Sequence, residues 1–358
     1  MRATRGGRIA APPSEGRGVS AHDDPALDTL LLPFADGMLR WPADGRVLFL
    51  HARDGWALRR FPLAGLVCEQ GFKPFADALA RTGLAVVAQA GGRFPLVLAL
   101  PPRQRDEARA LLARALDHLE PGGVLVACQS NLEGARSGED DLDRLAGLAG
   151  NLSKHKCRVY WTRADALDAA LHAQWRALDA PRPILDGRFV SRPGLFAWDR
   201  VDAASALLAA RLPDELAGRG ADLGAGWGWL AAEVLARCPR VTAIDLYEAQ
   251  ARALELARRN LAEARVPVGF HWHDVRAGLP ARYDFIVSNP PFHQGRADEP
   301  RIGQDFIRAA AAALRPGGRL WLVANRHLPY ESALREGFAS ARVVAERDGF
   351  KVIEALKA

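Results

Sequence analysis

A glycine-rich segment in the second half of the chain has the residue types and spacing of a turn that cradles a ligand. Between a short apolar strand and a helix it contains Asp222, Gly224, Gly226 and Gly228. Glycines at alternate positions let the backbone pass close beneath a bound molecule, and the free amides of the helix N-terminus point toward that molecule. A dinucleotide-binding turn would need its third glycine at position 229, where the chain has Trp229. The spacing therefore argues against NAD and fits the turn that holds the methionine part of S-adenosylmethionine.

Acidic residues after the next two strands predict the rest of a nucleoside site. Asp245 closes the second strand, 21 residues after Gly224, and an acid at that place accepts hydrogen bonds from both ribose hydroxyls. Glu248, near the start of the following helix, is a less favoured candidate for the same role. Asp274 follows the third strand and is expected where the adenine amine binds, although a cap on a helix or turn explains it equally well.

The third candidate segment is Asn289, Pro290, Pro291 and Phe292, which follows another apolar strand. An exocyclic amine is a weak nucleophile because its lone pair is delocalised into the ring. Two acceptors on its N–H groups, the Asn289 side-chain oxygen and the Pro290 carbonyl, are predicted to hold the amine and direct the lone pair toward a methyl group. The prolines stiffen this turn, and Phe292 is predicted to stack on a flipped-out base. No general base is evident.

These segments are separated by strands and helices that alternate along the second half of the chain. Strands are predicted at 219–223, 241–245, 268–272, 283–288 and 319–324. Helices are predicted at 230–238, 249–264 and 306–315. Such alternation predicts an α/β fold with a mostly parallel, doubly wound sheet.

The first half of the chain carries a weaker copy of the same pattern. A strand at 94–100 ends in Pro-Pro, and the following helix ends at a Pro-Gly-Gly at 121–123, as the second half does at 290–291 and 316–318. The first half lacks the predicted catalytic side chain, because Leu100 precedes its Pro-Pro where the second half has Asn289.

We therefore expect two tandem Rossmann-like class I methyltransferase domains, of which the N-terminal one is degenerate. The expected division is a disordered leader at 1–24, a degenerate domain at 25–180 and a catalytic domain at 181–358. The leader is rich in Arg, Gly, Ala, Pro and Ser and lacks the apolar core of a secretion signal.

Composition narrows the class of protein. The 358 residues are 49% hydrophobic and 25% charged, as in ordinary soluble proteins, and no apolar run approaches the roughly 20 residues of a membrane span. The formal net charge of +6 is compatible with a polyanionic partner such as RNA. Four widely spaced cysteines suggest reduced thiols, with neither a zinc site nor disulfides. We expect a cytoplasmic monomer that uses no metal.

Taken together, these residues resemble the bacterial rRNA guanine-N2 methyltransferases, in particular the small-subunit family with tandem methyltransferase domains. Residues 288–293 resemble the catalytic loop of that family, and 193–196 with 200–202 resemble the segment that helps close its cofactor site. Residues 323–330 and 349–352 resemble its closing strands. The resemblance implies transfer of a methyl group from S-adenosylmethionine to a guanine N2 of 16S rRNA, free or in the assembled small subunit. It also implies an N-terminal domain that serves folding and RNA recognition.

Other functions remain open from the sequence. The alternative targets are a guanine N2 of 23S rRNA, an adenine N6 and a protein glutamine, although the tandem layout and Phe292 favour guanine. A non-catalytic RNA-binding assembly factor on an inactive scaffold is an alternative of a different class. The intact glycines, Asp245 and Asn289 argue against it.

Overall fold

The structure is a computed structural model that describes residues 24–291, 293–294, 297–298 and 300–358. Phe292 of the predicted catalytic loop and residues 1–23 of the predicted leader lie outside the described residues.

The first half of the chain folds around a seven-stranded mixed sheet. Its strands are β1 (Val47–Leu50), β2 (Leu66–Glu69), β3 (Ala85–Val87), β4 (Phe94–Ala99), β5 (Leu119–Ser130), β6 (Gly150–Lys154) and β7 (Cys157–Thr162). Their order across the sheet is β3-β2-β1-β4-β5-β7-β6, and β7 runs antiparallel to the other six strands.

Helices cover both faces of this sheet. They are α1 (Pro25–Ala35), α2 (Lys73–Arg81), α3 (Arg105–Asp117), α4 (Ala135–Ala146) and α5 (Ala169–Arg176). Phe49 of β1 packs with Leu27 and Leu30 of α1, whereas its neighbour Leu48 packs on the other face with Leu112 of α3. A central parallel strand with helices on both faces has no solvated side, which explains why β1 is an unbroken apolar run.

The second half repeats this arrangement. The strands of its main sheet are β10 (Ala217–Leu223), β11 (Arg240–Glu248), β12 (Val268–Trp272), β13 (Tyr283–Ser288), β16 (Leu314–Asn325), β17 (Ser340–Arg347) and β18 (Phe350–Leu356). Two short two-stranded sheets complete the numbering: β8 (Arg182–Ile184) pairs with β9 (Phe189–Ser191), and β14 (His293–Gln294) pairs with β15 (Ala297–Asp298). The order across the sheet is β12-β11-β10-β13-β16-β18-β17, and β18 runs antiparallel to the other six strands.

The helices of the second half are α6 (Ala203–Ala209), α7 (Trp229–Arg237), α8 (Ala251–Asn260), α9 (Pro300–Ala313) and α10 (Glu331–Gly337). Short 3-10 helices lie at Trp56–Arg60, Asn131–Glu133 and Val275–Ala277. No helix in the part of the chain that the structure describes is long and apolar enough to cross a membrane. Within the same residues, no three His, Cys, Asp or Glu side chains are grouped as metal ligands would be.

The matching strand orders confirm the predicted α/β fold with tandem Rossmann-like domains. The expected boundary at 180/181 lies between α5 and β8 and stays a prediction. Strands β10, β11 and β16 are longer than the sequence suggested. The extension of β11 affects the candidate site, because this strand continues through Leu246 and Tyr247 to Glu248. Both residues are fully buried, so the core extends past Asp245 and moves the carboxyl end of the strand by three residues.

The two halves meet at equivalent corners of their sheets. Phe72, just before α2, forms an antiparallel bridge with Gln250, just before α8. On either side of this bridge, the Lys73 amide donates to the Ala249 carbonyl (2.8 Å) and the Ala251 amide donates to the Gly71 carbonyl (2.9 Å). The contact therefore joins the segments that directly follow the second strand of each sheet.

Candidate active site

The glycine-rich turn leaves the carboxyl end of β10 and leads into α7. Gly224, Gly226 and Gly228 have φ values of 74°, 56° and 89°, in the left-handed region that favours glycine. The Gly224 amide donates to the Tyr247 carbonyl (2.8 Å), which ties the turn to β11. A Cβ at Gly224 would lie 3.8 Å from the backbone oxygen of Asn289. The turn is thus close to the predicted catalytic loop.

Two carboxyl groups lie beneath this turn. Glu248 Oε2 accepts a hydrogen bond from the Gly226 amide (2.8 Å), and its Oε1 accepts one from the Gln250 amide (2.7 Å). Asp222 is 1% exposed, and its Oδ2 has no hydrogen-bond partner among the described residues. Burial, together with the negative charge of Glu248, raises the pKa of Asp222 to about 8. Burial also raises the pKa of Glu248. The corner is therefore poised for a ligand that brings positive charge or hydrogen-bond donors.

Asp245 is not brought to this corner. Its Oδ2 accepts hydrogen bonds from Arg219 Nη2 (2.5 Å) and from the Tyr283 hydroxyl (2.8 Å), and the side chain is buried. Because β11 runs on to Glu248, Asp245 lies inside the strand and not at its carboxyl end. Glu248, the less favoured candidate of the sequence analysis, occupies the place that had been expected for Asp245.

Asp274 caps the turn that follows β12. Its Oδ1 accepts from the Arg276 amide (3.0 Å), and its Oδ2 pairs with the Arg276 guanidinium (2.9 Å). The neighbouring His273 amide donates to the Glu248 carbonyl (3.0 Å), so this turn adjoins the Glu248 corner. The capping role is observed, and the contact with an adenine amine stays a prediction.

Asn289 begins the loop after β13, beside the end of β10. The Ser288 hydroxyl donates to the Leu223 carbonyl (2.8 Å) and fixes these two strand ends together. Asn289 Nδ2 donates to Asp202 Oδ2 (2.9 Å) and to Ser205 Oγ (2.8 Å). Pro290 is buried at the start of the same loop.

One pocket is lined by several of the predicted residues, whereas Gly228, Asp245, Asp274 and Pro290 are not part of its lining. Its lining includes Asp222, Gly224, Gly226 and Asn289 among the predicted residues, together with Phe196, Asp202, Ser205, Trp227 and Trp229. Sequence reasoning gave Ser205 no role; its only local signal is the spacing Asp202-x-x-Ser205, in which Asp202 caps α6 by accepting from the Ser205 amide (2.8 Å). The pocket therefore brings the buried Asp222 and the glycine-rich turn next to the Asn289 carboxamide.

The corresponding corner of the first half is filled. The Arg114 guanidinium makes a bidentate ion pair with Glu69, at 2.6 and 2.7 Å. His51, which follows β1 as Gly224 follows β10, has a φ of 52°. A cationic side chain thus occupies this corner of the first half, as expected of a degenerate copy.

Comparison with known proteins gives matches over most of the chain. A family model, the methyltransferase small domain, matches residues 186–354. The ribosomal RNA small subunit methyltransferase C of Yersinia enterocolitica is 32% identical over 257 residues, which cover 71% of this chain and 72% of that protein. The protein of the same description from Psychromonas ingrahamii is 28% identical over 267 residues, covering 74% and 76%.

A solved structure is similar over nearly the full length. It is the T. thermophilus 16S rRNA N2 G1207 methyltransferase in complex with AdoMet and guanosine, with a TM-score of 0.74 and 26% sequence identity. The match covers 94% of this chain and 92% of that one.

Proposed function

Because the chain belongs to the family of ribosomal RNA small subunit methyltransferase C, we propose that it transfers a methyl group from S-adenosylmethionine to the N2 amine of a guanine in 16S rRNA. The observation that carries this proposal is that Asn289 and the Asp222–Gly228 turn open into one pocket. The similar T. thermophilus enzyme has AdoMet and guanosine bound, which are the two ligands that such a pocket needs.

The residues of the cradle fit the cofactor. S-adenosylmethionine carries positive charge on its sulfonium and ammonium groups, and the partnerless, buried Asp222 oxygen is suited to a cationic neighbour. Glu248, at the end of β11, is the acceptor that we assign to the ribose hydroxyls. The glycines leave room for the chain to pass beneath the methionine part. When bound, the cofactor supplies an electrophilic methyl group.

The acceptor side of the pocket is Asn289 and Pro290. The Asn289 Oδ1 and the Pro290 carbonyl accept the two N–H groups of the guanine amine and hold its lone pair toward the methyl group. This is positioning catalysis, and it needs no general base before the methyl group is transferred. Phe292 keeps its predicted role as a stacking surface for the base. The predicted cytoplasmic monomer, free of metal, fits this function.

Methyl transfer from labelled S-adenosylmethionine tests the proposal. The purified protein is incubated with small subunits, large subunits and free rRNA, and the modified nucleosides are mapped by mass spectrometry. We expect N2-methylguanine in 16S rRNA. Methylation confined to 23S rRNA, to adenine N6 or to a protein glutamine would contradict the proposal, as would cofactor binding without any transfer.

A further inference from the structure

The Asn289 carboxamide is held by two side chains from a distant part of the sequence. Both of its N–H groups are used, one by Asp202 Oδ2 (2.9 Å) and one by Ser205 Oγ (2.8 Å). Asp202 also accepts from the Ser205 amide (2.8 Å), so one carboxylate oxygen joins the start of α6 to the catalytic loop. All three side chains line the same pocket.

This arrangement leaves the carboxamide only one favourable orientation. An ionised carboxylate accepts hydrogen bonds and donates none. If the Asn289 amide were flipped, its Oδ1 would face the Asp202 carboxylate, and two acceptors would repel each other. The Asp202 charge therefore keeps Asn289 Nδ2 turned toward Asp202 and leaves Asn289 Oδ1 free to accept a hydrogen bond from the substrate. A hydrogen bond from Nδ2 to a charged acceptor also polarises the amide and makes its oxygen a stronger acceptor.

We propose that Asp202 and Ser205 are positioning residues for methyl transfer, which fix the Asn289 carboxamide so that its Oδ1 accepts from the substrate amine. The inference rests on the proposed function, because that function supplies the amine. It assigns a second role to the acid that caps α6, beyond the stability of a seven-residue helix.

Asp202→Asn separates the two roles. Asparagine caps helices as well as aspartate does, so α6 is kept, but the amide at 202 no longer imposes one orientation on Asn289. We expect kcat for rRNA methylation to fall by about 10- to 100-fold, as for the loss of a hydrogen bond to a charged group. The KM for rRNA and the Kd for S-adenosylmethionine should stay within about twofold, because the lost interaction acts in the transition state.

Matched variants complete the kinetic test. Asp199→Asn alters an exposed acid three residues upstream that forms an ion pair with its neighbour Arg200, and it should leave kcat unchanged. Ser205→Ala should lower kcat by about 3- to 10-fold, as for a neutral hydrogen bond, and Ser205→Thr should restore it. A kcat for Asp202→Asn equal to that of Asp199→Asn would overturn the proposal. Loss of cofactor binding in Asp202→Asn would also overturn it.

A measurement without substrate tests the inference independently of the proposed function. Selective ¹⁵N labelling gives one side-chain amide signal for each of the five asparagines, and Asn289→Asp identifies the signal of Asn289. The asparagines are Asn131, Asn151, Asn260, Asn289 and Asn325.

The exposed Asn151 serves as the internal reference for hydrogen exchange. We expect the Asn289 side-chain hydrogens to exchange at least about tenfold more slowly than those of Asn151, and Asp202→Asn to remove most of that protection. Equal exchange rates for the side-chain amides of Asn289 and Asn151 in the unaltered protein would show that the Asn289 carboxamide is not held. An Asn289 exchange rate that changes in neither Asp202→Asn nor Ser205→Ala would show the same. Either result overturns the inference, whatever the substrate proves to be.

Discussion

Gln70 and Glu248 occupy equivalent places in the two halves of the chain. Gln70 follows Glu69, which pairs with Leu50 at the end of β1, and Glu248 follows Tyr247, which pairs with Leu223 at the end of β10. Each of the two side chains contacts the loop that follows β1 or β10. Gln70 donates from Nε2 to the Ala52 carbonyl (2.7 Å), whereas Glu248 accepts from the Gly226 amide (2.8 Å). The side chain at this place is therefore neutral in the first half and carries a carboxyl group in the second, where it contacts a glycine-rich turn.

Replacing this anion should weaken cofactor binding. We expect Glu248→Gln to raise the Kd for S-adenosylmethionine by about 10- to 100-fold, because hydrogen bonds from the ribose hydroxyls to a charged acceptor are exchanged for weaker neutral ones. Isothermal titration calorimetry measures this directly.

Asp245→Asn is the matched comparison. The Asp245 carboxylate is paired with Arg219 and Tyr283 inside the sheet, so this variant should lower the melting temperature while leaving the cofactor Kd within about twofold. The reverse result, with weak binding in Asp245→Asn and normal binding in Glu248→Gln, would return the ribose to Asp245.

The stability of the cofactor-free protein should depend on Asp222. Its pKa is about 8 in the folded protein against a reference value of 3.8, so between these values the folded chain holds a proton that the unfolded chain has released. The free energy of unfolding should therefore fall as the pH rises through this window, by up to about 1.4 kcal/mol per pH unit for this group. Urea unfolding between about pH 5 and pH 8 should show a shallower decline in Asp222→Asn. Equal slopes in the two proteins would contradict the buried, protonated acid.

Cofactor binding should release the same proton. A cationic ligand beside Asp222 favours its ionised form, so binding below about pH 8 exchanges a proton for the cofactor. The Kd of the unaltered protein should decrease as the pH rises toward 8. Calorimetry in buffers of different ionisation enthalpy counts the released protons, and Asp222→Asn corrects for titration of the cofactor itself. A proton count that is unchanged in Asp222→Asn would place the release elsewhere.

Local sequence patterns predicted most of the fold. In strands and helices the apolar residues recur at different spacings, and Gly and Pro separate one element from the next. The end of β11 was missed since Leu246 and Tyr247 continue its apolar run. The sequence analysis therefore preferred Asp245 for the ribose over Glu248, the acid that lies at the end of the strand. The contacts of Asn289 with Asp202 and Ser205 span 87 and 84 residues. No local period encodes a contact at that separation, so only the assembled sheet could reveal it.

Removing the Asn289 side chain should stop methyl transfer and spare cofactor binding. We expect Asn289→Ala to lower kcat by at least about 10²- to 10³-fold, the usual effect of deleting a group that acts on the reacting centre, with a Kd for S-adenosylmethionine within about twofold. Asn151→Ala, at an exposed position on β6, is the control. A large loss of cofactor affinity in Asn289→Ala would contradict the division of roles between the two sides of the pocket.

The contact between the halves should contribute measurably to stability through Arg252. This residue of α8 reaches Glu107 of α3 (2.5 Å) and Asp179 (3.1 Å), and all three side chains are largely buried. Arg252→Ala leaves Glu107 without its guanidinium, in a place where burial already raises the pKa of Glu107. We expect a loss of about 2–3 kcal/mol in the free energy of unfolding by urea, measured near neutral pH.

Arg252 lies close to Glu248, since α8 begins three residues after Glu248 and directly after the Phe72–Gln250 bridge. Arg259→Ala, which breaks an exposed pair with Glu255 on the same helix, should cost less than about 0.5 kcal/mol. Adding Glu107→Gln to Arg252→Ala should recover part of the loss, because the stranded charge is removed. If Arg252→Ala costs no more than Arg259→Ala, the contact between the two halves does not depend on Arg252.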